Sequence, residues 1–234
     1  MLTRRGFCGG LLTALAGSTA ALAQGDACAV FTPPRQHALS PEAALALLRA
    51  GNERFLSGQT VNCDLIGQVR ETATQQSPFA AIVGCIDSRV PPELVFDQRI
   101  GDIFCARVAG NFANVDILGS LEYATEVAGA RAIVVLGHTG CGAIKSAVDG
   151  VELGHITALL ENLDPALATL EAADGPRQSQ NGALVQKVAD ANARLTAQSL
   201  VQRSPILERR VAAGELVVAA AMHDIATGAV AWLA

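Results

Sequence analysis

The chain has 234 residues, half of them hydrophobic and 17% charged, with a formal net charge of -5. That is ordinary material for one compact core. The mildly acidic balance, without a basic stripe interleaved with aromatics, argues against a nucleic-acid binder.

Residues Thr3-Arg4-Arg5-Gly6-Phe7 precede an uncharged stretch from Cys8 to Leu22, which ends in Ala21-Leu22-Ala23 before Gln24. A charged start, a short apolar stretch and a small-x-small cleavage site mark residues 1–23 as an export signal. The paired Arg4 and Arg5 suggest the twin-arginine route and a periplasmic product. Gly9, Gly10, Gly17, Ser18 and Thr19 make the stretch short and weakly apolar for a membrane span, so no stable anchor is expected. Residues 24–234 are then read as a single domain.

After Thr32-Pro33-Pro34, Ser40 followed by Pro41 and Glu42 reads as a helix N-cap with proline at the first helical position. Ala44, Leu47, Leu48 and Phe55 fall at helical spacing, and Ser57-Gly58 supplies the stop. Three short apolar runs, Phe79 to Cys85, Asp102 to Val108 and Arg131 to Leu136, read as buried strands. Between them Leu94 to Phe96 and Val115 to Val127 are helical in pattern. Val151 to Leu163 and Gly182 to Val201 are read as helices, with a polar loop from Ala172 to Gln180. Glu215 to Met222 and Ala229 to Leu233 are a last strand and its hairpin partner. Strands alternating with helices imply an α/β fold, a mostly parallel sheet covered by helices on both faces.

The six cysteines are irregularly spread in a chain long enough to bury a core, so they do not suggest a disulfide scaffold. Cys8 belongs to the export signal and Cys105 reads as a small buried side chain. Cys28 and Cys63 could pair in an oxidising compartment.

Cys85 ends the first strong strand and His138 the third, in Val134-Val135-Leu136-Gly137-His138-Thr139-Gly140-Cys141. The carboxyl edge of an open α/β sheet is where ligands bind. Two thiols and one imidazole make a three-ligand set, which leaves one tetrahedral position open, the pattern of catalytic zinc. Asp87 and Arg89 place a carboxylate and a guanidinium within four residues of Cys85.

Cys85-x-Asp87-Ser88-Arg89 with His138-x-x-Cys141 resembles the signature of β-class carbonic anhydrases. The resemblance runs from about Pro41 to Leu233 and takes in Gly51-Asn52-Glu53-Arg54-Phe55, Phe96-Asp97-Gln98, Gly119-Ser120-Leu121-Glu122-Tyr123 and Gly140-Cys141-Gly142-Ala143. It implies one Zn2+ per chain on Cys85, His138 and Cys141, with Asp87 and Arg89 as the catalytic pair. It also implies reversible hydration of carbon dioxide to bicarbonate and a proton, through a zinc-bound hydroxide that Asp87 orients. Gln76, Phe104 and Tyr123 match pocket residues of the plant-type branch, and Ala109 stands where that branch has valine. In that family the glutamine comes from the neighbouring subunit, which implies a homodimer or larger homo-oligomer. Carbon disulfide or carbonyl sulfide hydrolases share the fold and ligands and remain open as alternatives. A zinc or thiol-redox protein without hydration activity fits less well, since the chain has no Cys-x-x-Cys motif.

Overall fold

The computed structural model describes residues 29–233. The expected export signal, residues 1–23, and Cys28 lie outside the described residues.

Helix α1 (Pro33–His37) is followed by α2 (Pro41–Ser57). The Ser40 side chain accepts a hydrogen bond from the Ala43 amide, Pro41 takes the first turn, and Gly58 ends the helix at φ 69°. Ala44 and Leu48 on its inner face are fully buried. Helix α3 (Leu65–Thr72) leads to strand β1 (Ala80–Gly84), short helix α4 (Pro92–Val95) and strand β2 (Ile103–Arg107). Helix α5 (Val115–Glu122) ends in a π-turn over Tyr123–Val127 before strand β3 (Ala132–His138). Next come α6 (Gly142–Val148), α7 (His155–Leu160), α8 (Asp164–Leu167), α9 (Gly182–Arg203) and α10 (Pro205–Ala212). Strands β4 (Val217–His223) and β5 (Val230–Leu233) complete the sheet.

The strand order is β2-β1-β3-β4-β5, parallel except for the antiparallel β4–β5 hairpin. Side chains alternate between the two faces. Ala81, Val83, Ile133 and Val135 meet Leu184, Val188 and Leu200 of α9, whereas Ala80, Ile82, Val134 and Leu136 meet Leu48, Phe79 and Phe96. The sheet is therefore apolar on both sides, as the continuous β-branched runs require.

Helices α1, α3, α6, α8 and α10 are not anticipated from the sequence, and two of the segments that are read differ in the structure. The helix expected from Val151 begins only at His155, because Gly150 and Gly154 both adopt positive φ (66° and 48°) and break the chain on either side of it. Within the loop expected over 172–180, Ala172–Asp174 forms a 3-10 turn.

Two of the quoted sequence stretches touch each other. Asn52 donates to the carbonyls of Val95 and Gly228 and accepts from the Val230 amide. Arg54 bonds Asp97 at 2.6 Å, and a Cβ on Gly51 would overlap the Phe96 carbonyl oxygen. Helix α2 is thereby locked to the segment that follows α4. Cys63 is disulfide-bonded, and Cys85, Cys105 and Cys141 are free thiols. Among the described residues no helix is long and apolar enough to cross a membrane.

Candidate metal centre

Three elements deliver three side chains to one point at the carboxyl edge of the sheet. Cys85 follows directly on β1, His138 is the last residue of β3, and Cys141 caps the N-terminus of α6. All three are buried, and their ligand atoms lie within 4.8 Å of one another, with the two sulfurs 4.0 Å apart.

The surrounding backbone explains the convergence. Gly110 adopts φ 84°, which lets its amide approach Cys85 Sγ at 3.4 Å, and Asn192 of α9 fixes its carbonyl at 2.7 Å. A Cβ on Gly110 would crowd Leu163 at 3.1 Å. His138 Nδ1 lies 3.0 Å from the Thr139 carbonyl; since a carbonyl only accepts, Nδ1 carries the hydrogen and Nε2 the free lone pair. That Nε2 is buried and has no hydrogen-bond partner among the described residues. Thr139 is held in turn, its hydroxyl accepting from the Ile225 amide and its own amide donating to the His223 carbonyl.

The electrostatics match a cation site. The Cys85 thiol is lowered to about 4, first by the hydrogen bond from Cys141, with the Gly110 amide adding to it against burial. Cys141 is pushed up, because the same bond favours its proton and burial disfavours its charge. The pair therefore shares one proton and already holds one negative charge. An orphaned imidazole nitrogen beside a thiolate and a thiol is a donor set that fits zinc.

Asp87 sits at the mouth of this cluster. Its Oδ1 accepts from Arg89 Nε at 2.9 Å and from the Arg89 amide at 3.0 Å, and Oδ2 accepts from a terminal guanidinium nitrogen at 2.7 Å. Oδ2 is 3.9 Å from His138 Nε2. The Arg89 guanidinium holds the Asp87 carboxyl well below the usual carboxylate range. Arg107, unnoticed in the sequence, reaches back from β2 to the carbonyls of Cys85 (2.8 Å) and Asp87 (2.6 Å).

The carbonic anhydrase family pattern matches residues 80–230, which contain Cys85, Asp87, Arg89, Arg107, His138 and Cys141. The chain belongs to the β-carbonic anhydrase family. Carbonic anhydrase 2 of Mycobacterium tuberculosis is 33% identical over 195 residues, covering 81% of this chain and 91% of its own. The carbonic anhydrase of Mycolicibacterium smegmatis is 33% identical over 197 residues, covering 82% and 92%. In fold the chain is similar to the β-carbonic anhydrase of Coccomyxa (TM-score 0.64, 22% identity, 81% of this chain and 86% of that one). It is also similar to a β-carbonic anhydrase of Sordaria macrospora (TM-score 0.63, 24% identity, 70% and 84%).

The remaining expected site residues lie elsewhere in this family member. Gln76 is exposed and precedes β1, at the opposite end of that strand from Cys85. Phe104 pairs with Ala81 in the β1–β2 register, so it lies about 13 Å along the strand from Cys85. Phe104 and Tyr123 line a common cavity of about 770 Å³ with Val115 and Asp116, and none of the three candidate ligands lines it. Tyr123 is 53% exposed. Ala109, next to Gly110 and half-buried, is the one expected pocket residue on the metal side of the chain.

Proposed function

We propose that this carbonic anhydrase family member is a zinc enzyme that hydrates carbon dioxide reversibly to bicarbonate and a proton. The observation that carries the reading is the buried Cys85, His138 and Cys141 set with Asp87 at its mouth, already tied to Arg89. Zinc held by these three residues would act as a Lewis acid that makes water a nucleophile near neutral pH. Cys85 and Cys141 would hold the ion as thiolates and His138 through Nε2, with Thr139 fixing the ring. Two thiolates donate charge, so a polar neighbour has more to do here than in an all-imidazole site.

Asp87 is that neighbour. A carboxylate that stays ionised accepts a hydrogen bond from the attacking group and turns its lone pair toward the substrate carbon. Arg89 keeps the carboxylate in that role and off the metal position left open. The carbon dioxide pocket is completed in a homodimer or larger homo-oligomer. A second copy brings Gln76, Phe104 and Tyr123 to the metal side, beside Ala109 of the first. Gln76 donates to a substrate oxygen and the two rings make an apolar wall, as in the plant-type branch. The positions of these three residues, away from their own chain's ligands, support this arrangement. The export signal in residues 1–23 fits a periplasmic enzyme, which folds and loads zinc before twin-arginine transport.

Metal analysis of the purified mature protein, paired with stopped-flow assays on carbon dioxide, carbonyl sulfide and carbon disulfide, tests this reading. One zinc per chain with rapid hydration of carbon dioxide is expected. Turnover of a sulfur gas alone would move the enzyme to a neighbouring activity, and zinc without any turnover would make it a binding protein.

A further inference from the structure

Arg89 grips the Asp87 carboxylate, but both residues belong to one short loop, so the pair does not fix that loop's own backbone. The two residues are two apart in sequence, and the Arg89 side chain is 54% exposed, although that of Asp87 is only 15% exposed. Exposed ion pairs contribute little, because water screens them and both side chains lose freedom on pairing. A divalent cation held by His138 Nε2 would sit close to a carboxylate oxygen now 3.9 Å from that nitrogen, and would compete strongly for it. Ile86, between the cysteine and the aspartate, is 60% exposed and anchors nothing by burial.

We propose that Arg107 is a positioning residue that keeps Asp87 on Arg89 and out of the metal's open position, by clamping the backbone on both sides of Ile86. This rests on the carbonic anhydrase reading and names a residue that the reading does not use. Nε of Arg107 donates to the Cys85 carbonyl at 2.8 Å and a terminal nitrogen donates to the Asp87 carbonyl at 2.6 Å. The backbone that carries this side chain is anchored, since Arg107 ends β2 opposite Gly84 and the next amide, Val108, bonds the Gly84 carbonyl at 3.0 Å. One rigid planar fork thus joins the strand neighbour to the residue before the loop and to the aspartate within it. The Asp87 carbonyl also accepts from the Val90 amide at 3.1 Å, a turn that holds the far side of the loop and leaves the Cys85 side to Arg107. Such hydrogen bonds to a charged donor are stronger than neutral ones, and a lysine cannot reproduce the two-pronged geometry. With the clamp gone, the backbone torsions of Ile86 and Asp87 lose their bonds to the sheet side of the loop, and the carboxylate can turn inward more readily.

Two readouts test this in Arg107→Met and Arg107→Lys. In the metal-free protein, amide hydrogen exchange at residues 86–89 should accelerate about tenfold or more in Arg107→Met, the response to losing about 1.4 kcal/mol of local stability. Exchange in β1 and α9 should stay unchanged. In the cobalt(II)-substituted protein, Arg107→Met should shift the visible absorption bands, and Arg107→Lys should shift them less. In an Asp87→Asn background, adding Arg107→Met should produce no further shift, because the arginine acts through that carboxylate. Should Arg107→Met not fold, Arg107→Lys carries the same two readouts. Unchanged exchange at 86–89, or an equal spectral shift with and without the Asp87 carboxylate, would overturn the clamp. If the parent fails to hydrate carbon dioxide while exchange and spectra respond as described, the functional reading falls and the clamp stands.

Discussion

The carboxylate of Asp87 lies against the guanidinium of Arg89 with Oδ1 2.9 Å from Nε and Oδ2 2.7 Å from a terminal nitrogen, while Oδ2 stays 3.9 Å from His138 Nε2. Asp87 is held below the usual carboxylate range chiefly by that hydrogen bonding. Its charge is therefore complete above that range and is lost only as pH falls through the lowered folded value. Asp87→Asn should keep fold and metal but lower carbon dioxide hydration about 100-fold or more, since an amide nitrogen donates where an acceptor is needed. The parent's activity should show no acid limb from Asp87 above about pH 4. An unimpaired Asp87→Asn variant in a stopped-flow assay would remove the carboxylate from the mechanism.

The thiol pair predicts how many protons metal binding displaces. Cys85 is lowered to about 4 and Cys141 is raised, so at neutral pH the pair carries one proton. Zinc binding at pH 8 should release about one proton from the cysteines, rising toward two as the pH approaches 4. Titration calorimetry in buffers of different ionisation enthalpy measures this. Release of two at pH 8 would mean that the cysteines enter as independent thiols. Cys141→Ala should lose zinc altogether, since two protein ligands make a poor tetrahedral site.

A site shared between copies, as proposed above, could be reassembled from two defective chains. Gln76→Ala and Cys85→Ala should each be nearly inactive alone. Co-expressed, they should recover up to about a quarter of parental activity, because half of randomly formed dimers carry one intact site of two. No recovery in a verified mixed dimer would place Gln76 in its own chain's pocket or outside the chemistry.

Gly51 offers a test of packing away from the metal. The added methyl of Gly51→Ala would strike the Phe96 carbonyl and approach Gln98 Nε2 at 2.6 Å. Overpacking of this kind costs about 1–3 kcal/mol. In a domain of this size that lowers Tm by roughly 2–4 °C per kcal/mol. A thermal scan with unchanged Tm would show that α2 can shift freely.

For export, Arg4→Lys with Arg5→Lys should strand the protein inside the cell. Fractionation finding the double variant outside the cytoplasm at the parental level would reassign the route.

The parallel strands were readable because both faces of the sheet are buried, which turns β1 and β3 into unbroken runs such as Ala132-Ile133-Val134-Val135-Leu136. The ligands were readable for a related reason, since strand ends are marked by where those runs stop. Helix α3 gave no such signal: Leu65, Ile66 and Val69 are all about half exposed, so no buried stripe repeats along it. The helix from His155 was read too early because Val151 and Leu153 look apolar, although both are exposed beside positive-φ glycines. Arg107 left no trace in the sequence because its partners are main-chain carbonyls 20 and 22 residues earlier, and a carbonyl has no residue type. Phe104 and Tyr123 share a cavity that no local pattern encodes, since β2 and α5 meet only in the fold.

The 4.0 Å between Cys85 Sγ and Cys141 Sγ sets a lifetime as well as a ligand geometry. One of the pair is already a thiolate, and the thiolate is the species that oxidants attack. A disulfide needs the sulfurs about 2 Å closer, a modest side-chain rotation for residues on adjacent loops. Zinc bound to both sulfurs, as proposed above, would shield them from that reaction. In surroundings oxidising enough to keep Cys63 in a disulfide, a molecule that loses its metal has a limited time to regain it. After that the two ligands join each other and the site closes for good, unless a reductant reopens it.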